Sequence, residues 1–131
     1  MVQRIKPLID EMIYTMEQAD ELELLTNEFK ACQKSLIALG DETRQSIIMS
    51  LMECDCKGVR VGEITNKTHL SRPAVSHHLQ ILKDAGIIGM RREGTKNYYY
   101  LDSKKNELNK LKTLLLHVEK ILENAPCRGE E

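Results

Sequence analysis

The 131-residue sequence predicts a mostly α chain with a small two-stranded β-wing. Two helix candidates meet across a tight turn between residues 61 and 85, a basic hairpin follows, and long apolar helical stripes flank both. Two helices across a turn plus a basic hairpin describe a winged helix-turn-helix, whose second helix can lie in a DNA major groove.

The first of the two helices spans Val61 to Thr68, and His69-Leu70 turns the chain. Ser71-Arg72-Pro73 opens the second, which runs to about Ala85, where Gly86 stops it. The Ser71 hydroxyl is suited to accept from a free first-turn N–H. Pro73 sits where its missing N–H costs little. Ala74, Val75, Leu79 and Leu82 form an inward face at helical spacing, with His78 at its edge. Arg72, Ser76, His77 and Gln80 fall on the other side, near the start of the helix, as candidates for contact with bases. A solvated amphipathic face would look similar by itself. The following hairpin tips the balance: strands Ile87 to Arg92 and Asn97 to Leu101 enclose Glu93-Gly94-Thr95-Lys96. Arg91, Arg92 and Lys96 make its tip cationic and able to reach a phosphate or the minor groove.

These residues resemble the ArsR/SmtB family of bacterial and archaeal repressors. The resemblance rests on Ala38-Leu39-Gly40-Asp41-Glu42-Thr43-Arg44, on Leu70 to Leu82, on Ala85-Gly86-Ile87-Ile88, and on Gly94 to Leu101. It covers roughly Phe29 to Leu101 in the family's order and spacing. It implies a homodimeric winged-helix repressor that binds double-stranded DNA and releases it when an inducer binds.

Composition fits a single helical domain over 1–131: 41% hydrophobic and only 4% aromatic. There is no long apolar run for a membrane span, and the N-terminal residues lack the apolar core of a signal peptide. Four cysteines without framework spacing suggest reduced thiols. A cytoplasmic protein is expected. The net charge of −1 hides a gradient. Residues 1–40 carry four basic and seven acidic side chains, whereas residues 71–101 carry five basic and two acidic. Phosphate contact needs a local positive face, not a basic protein.

The flanks read as dimerisation helices. Ile5, Ile9, Met12, Met16 and Ala19 alternate at spacings of four and three, as do Leu22, Leu25, Phe29, Cys32, Leu36 and Leu39. No Gly or Pro interrupts Leu8 to Leu39, so the spacing predicts one long helix, or two broken near Asp20 or Thr26. Asp41 is placed to cap the next helix, which is expected to bury Ile47, Ile48, Leu51 and Met52. Leu108, Leu111, Leu115, Val118 and Leu122 form a heptad stripe widened by Leu114 and Ile121. These stripes exceed what one small core can cover, and a second chain is the simplest cover. The expected division is N-terminal dimerisation helices over 1–39, a DNA-binding core over 41–101 and a C-terminal dimerisation helix over 102–124. The residues before about Leu24 extend beyond the shortest family members and read as further dimer surface.

The signal that releases DNA is not legible. Family members that sense thiophilic metals often carry a Cys-x-Cys pair in the first helix of the motif; here Arg60 and Gly62 hold those places. Others bind metal on the C-terminal helix, where the places around His117 fall on Lys104, Asn106 and Lys120. Neither set supplies ligands. Cys54-Asp55-Cys56 remains as a candidate thiol pair for a soft ion or an oxidant, but a closed site needs further ligands. Cys32 sits on the apolar stripe as a core residue, and Cys127 lies in the tail. No metal set and no cofactor can be assigned. Catalysis is not expected: the four histidines do not converge, and there is no Gly-rich phosphate loop or His-Glu metal motif. The rival readings are a winged helix that binds protein, and a thiol-based metal or redox sensor using Cys54 and Cys56.

Overall fold

The computed structural model describes residues 2–54, 57–102 and 107–125. In chain order its elements are α1 (Val2–Ala31), α2 (Gln33–Leu39), α3 (Glu42–Met52), α4 (Val61–Thr68), α5 (Arg72–Asp84), β1 (Ile88–Glu93), β2 (Lys96–Leu101) and α6 (Glu107–Asn124). They fall into two compact units. One contains α1 and the part of α6 from Thr113 onward; the other is Cys32–Lys112.

The break in the long N-terminal stripe comes at Cys32, not at Asp20 or Thr26. Residue propensity did not mark it, because no Gly or Pro stands there. Tertiary packing decides it instead: Cys32 is buried, and the buried Ser35 Oγ lies 3.2 Å from the Ala85 carbonyl and 3.3 Å from the Glu107 carboxylate. Pro7 lies inside α1, where it removes only one hydrogen bond near the helix start.

In the Cys32–Lys112 unit, α2 and α3 are tied by two complementary caps. Asp41 accepts a 2.9 Å hydrogen bond from the Arg44 backbone N–H, as the sequence led us to expect of an N-cap. The Arg44 side chain turns back on α2, where Nε donates to the Ala38 carbonyl at 2.8 Å and Nη2 to the Ile37 carbonyl at 3.0 Å. These carbonyls belong to the last turn of α2, which has no further helix to satisfy them. Ile47 and Leu51 are buried on α3 and Ile48 partly so, whereas Met52 is exposed, contrary to its place on the apolar stripe. It follows the buried Leu51 in the last turn and points to the side of α3 that faces away from the core.

The turn between α4 and α5 is closed by His69 in the left-handed conformation (φ 57°), and Ser71 caps α5 by accepting from the Ala74 N–H at 3.3 Å. Gly86, at φ 78°, reverses the chain after α5, and a side chain here would run into Glu107. The two strands pair antiparallel from Ile88↔Leu101 to Glu93↔Lys96, so Gly94 and Thr95 alone form the tip. A short bridge that sequence periodicity did not mark joins Val59 to Tyr99 by two 2.8 Å hydrogen bonds, fastening the base of the wing to the segment before α4. The core gathers Ala38, Ile47, Leu51, Ile64, Val75, Leu79, Leu82 and Ile88 from α2 through β1. Burial of this kind is the main favourable term, at about 25 cal/mol per Å² of apolar surface.

In the other unit Leu114 is fully buried, and His117 Nδ1 donates to Glu28, with its carboxylate oxygens at 2.6 and 2.8 Å. Most of the apolar stripe of α1 stays exposed, including Ile5, Leu8, Ile9, Met12, Ile13 and Met16. On α6 the heptad positions divide. Leu111 is only 7% exposed within its own chain, whereas Leu108, Leu115 and Leu122 are open to solvent. Among the described residues no helix is long and apolar enough to cross a membrane.

Candidate nucleic-acid interface

Helix α5 presents two chemically opposite faces. Val75, Leu79 and Leu82 are buried in the core, while Arg72, Ser76, His77 and Gln80 are all exposed. The spacing puts these four polar groups on the outward side in the first two and a half turns, the part of such a helix that reaches base edges. Gln80 Nε2 donates to Asp84 Oδ1 at 2.8 Å, a partner one turn further along the helix. The i, i+4 spacing was there to be read.

His78 is half-buried and belongs to the support of the face rather than to the face itself. Its Nδ1 lies 3.4 Å from Arg44 Nη1, and its ring is 5.6 Å from that of His77. A guanidinium can only donate, so Nδ1 is the acceptor in this contact. Arg44 thus links the end of α2, the start of α3 and the outward helix. The Arg44 N–H held by Asp41, and the nearby guanidinium, keep the Asp41 carboxyl below the usual carboxylate range.

Arg72 leans toward α4. A Cβ placed on Gly62 would lie 3.9 Å from an Arg72 guanidinium nitrogen, and the surface depression there is lined by Arg60, Gly62, Glu63, Thr65, Asn66 and Arg72. The Thr65 hydroxyl is already committed to the carbonyls of Val61 and Gly62, at 2.7 and 2.9 Å.

The wing's cations differ in their surroundings. Arg91 Nε pairs with Glu93 at 3.0 Å, and its guanidinium stacks 5.2 Å from the centre of the Tyr98 ring, its cross-strand neighbour. Arg92 Nε donates to the Gly94 carbonyl at 3.1 Å and so lies along the tip, while Lys96 is exposed at the start of β2. Arg92 and Lys96 make no ion pair among the described residues.

The candidate sensor residues are only partly visible. Cys54 is partly buried, and Lys67 on α4 donates to its sulfur at 3.1 Å and lies 3.7 Å from Glu53. The sulfur, and then Glu53, hold the Lys67 ammonium above the usual lysine range. Cys56, Cys127, Lys104 and Asn106 lie outside the described residues. Lys120 lines a cavity of about 170 Å³ together with Glu28 and His117. Among the described residues no three His, Cys, Asp or Glu side chains are grouped to hold a metal ion.

Comparison with known proteins agrees with this geometry. Residues 41–89, from the cap of α3 into β1, match the model of the bacterial regulatory protein, arsR family. An uncharacterized HTH-type transcriptional regulator of Methanocaldococcus jannaschii is 43% identical over 79 residues, which are 56% of this chain and 82% of that protein. The transcriptional repressor SdpR of Bacillus subtilis is 38% identical over 66 residues, 50% of this chain and 70% of the relative. In fold, the chain is similar to an ArsR-like transcriptional regulator from Rhodococcus, with a TM-score of 0.67 at 22% identity over 76% of this chain and 86% of that one. These relatives are transcriptional regulators, not enzymes. With a winged helix-turn-helix that carries its polar helix face outward, the chain belongs to the ArsR family of DNA-binding transcriptional regulators.

Proposed function

We propose that the protein is a homodimeric repressor that binds an inverted-repeat operator in double-stranded DNA and leaves it when an inducer, not yet identified, binds. The observation that carries this reading is the outward face of α5 beside the wing: Arg72, Ser76, His77 and Gln80 exposed on one side of a helix whose other side is buried. Ser76, His77 and Gln80 are assigned to base edges, and Arg91, Arg92 and Lys96 to phosphates. Repression is supported by the likeness to SdpR. Dimerisation is supported by the apolar residues that a single chain leaves exposed on α1 and by Leu108, Leu115 and Leu122 on α6. A regulator of this kind acts in the cytoplasm.

A salt titration of affinity tests the reading and separates it from a winged helix that binds protein. Phosphate contacts make the logarithm of the DNA binding constant fall linearly with the logarithm of salt concentration. Binding that needs no DNA, or DNA binding indifferent to salt, would remove the reading.

A second reading concerns the inducer and rests on the contact between Lys67 and Cys54. A soft metal or oxidant at Cys54 and Cys56 would displace the Lys67 ammonium and pull on α4, the helix that supports α5. Metal coordination requires thiolates, so this response weakens as pH falls.

A further inference from the structure

Helical spacing groups Arg72 with the candidates for contact with bases. The structure points elsewhere for this side chain. Arg72 is the first residue of α5, at the edge of the outward face, and its guanidinium lies close to Gly62 on α4, across the turn of the motif. Gly62 carries no side chain to fill the space, so the guanidinium borders an open depression shared with Arg60, immediately before α4. Arg60 and Arg72 are both exposed, and neither has an ion pair among the described residues. Glu63 also borders the depression and opposes an anion there.

We propose that Arg60 and Arg72 together hold one DNA backbone phosphate in the notch between α4 and α5, so that Arg72 fixes the register of the motif on the duplex and reads no base. The inference rests on the DNA-binding reading above and adds a contact, Arg60, that neither the sequence pattern nor the comparisons assign. The ligand follows from position. When the start of α5 enters a major groove, the helix before it crosses the sugar–phosphate backbone, and a phosphate is what DNA presents to a cationic notch there. Two arginines lining one notch also suit a phosphate, since each guanidinium offers paired donors to its oxygens. Glu63 lowers the local positive potential and so keeps the contact from binding any polyanion indiscriminately.

The test measures affinity across a salt series for the native chain and for Arg60→Ala, Arg60→Lys, Arg72→Ala, the double Arg60→Ala with Arg72→Ala, and Glu63→Gln. Two duplexes of equal length are used: one selected by the native protein from random sequence, and a scrambled one. Arg60→Ala and Arg72→Ala are each expected to weaken both duplexes by the same factor, about three- to tenfold. Because the two act on one phosphate, the double variant should lower the salt slope by about one unit, not two. Arg60→Lys should recover part of the loss, and Glu63→Gln should tighten both duplexes, an effect that a merely structural role would not produce.

Loss confined to the selected duplex in Arg72→Ala would make Arg72 a base reader and overturn the proposal. Unchanged binding in both Arg60→Ala and Glu63→Gln would overturn it as well. In those cases native binding survives and the broader reading stands, whereas a native chain that binds neither duplex removes both together.

Discussion

Gln80 donates a hydrogen bond to Asp84 at 2.8 Å, along the exposed side of the helix that carries the outward polar face. The bond uses one of the two amide protons. It leaves the second proton and the carbonyl oxygen for the paired contact that a glutamine makes with adenine. Asp84 therefore sets which way the amide faces before DNA arrives.

A base-reading role for Gln80 has a measurable consequence. Gln80→Ala is expected to cost ~1–3 kcal/mol on the preferred duplex and less on random DNA. Asp84→Ala should tighten binding to random DNA slightly, by removing an anionic side chain beside the helix face, and reduce discrimination at the same base pair. Competition binding with single-base operator variants reads both effects, and equal losses on every sequence would show that the α5 face carries no sequence information.

The wing's arginines should not be equivalent. Arg92 lies along the tip without a carboxylate partner among the described residues, so Arg92→Gln is expected to weaken all duplexes alike and to flatten the salt slope by about one unit. Arg91 is partly neutralised by Glu93, so its removal should change the slope less, and Glu93→Gln should strengthen binding by releasing it. A larger slope change for Arg91 than for Arg92 would contradict this assignment.

The two leucines Leu111 and Leu115 separate folding from pairing. Leu115 is 62% exposed, so Leu115→Glu should abolish dimers while leaving the chain folded. Leu111 is buried in its own chain, and Leu111→Ala should cost roughly 2–5 kcal/mol of stability. Sedimentation and thermal melting distinguish the outcomes; a Leu115→Glu protein that stays dimeric would move the interface off this face of α6.

The cap at Asp41 gives the fold an acid-side dependence. Its carboxyl is held below its ordinary value of 3.8 by the Arg44 N–H, so folding favours the charged form. The contribution is present in full above the unfolded carboxyl's pKa and is lost as pH falls through the lower folded value. Asp41→Asn keeps an acceptor for the cap but should show a smaller fall in melting temperature on acidification. An identical acid profile in the two proteins would assign the loss to other groups.

The thiol reading of the inducer makes its own forecast. Metal-dependent release of the operator should disappear when Cys54→Ser and Cys56→Ser are combined, and should weaken as pH falls. Release that survives the double change would exclude the pair.

The helix-turn-helix was legible because its signals are local. Ser71 and Gly86 punctuate α5, and the apolar spacing of Val75, Leu79 and Leu82 fixes which side faces inward. The wing followed from Gly94 and the basic residues around it, with each strand within one residue of the expected bounds. What sequence patterns could not supply were contacts between distant segments. The break at Cys32, the bridge between Val59 and Tyr99, and the fan of Arg44 hydrogen bonds depend on which surfaces meet. Leu111 and Leu115 look alike in a heptad stripe, and only packing divides them. Arg72 is the corresponding case in the candidate interface: helical spacing assigns it a face, but the long side chain leans to a different neighbour.

Selection of duplexes from random sequence by the purified native protein tests the central claim most directly. The account predicts enrichment of an inverted repeat whose half-site centres lie about one helical turn apart, roughly 34–36 Å, bound by two chains with salt-dependent affinity. Enrichment of no sequence, or of a single half-site bound with full affinity by a monomer, would contradict it.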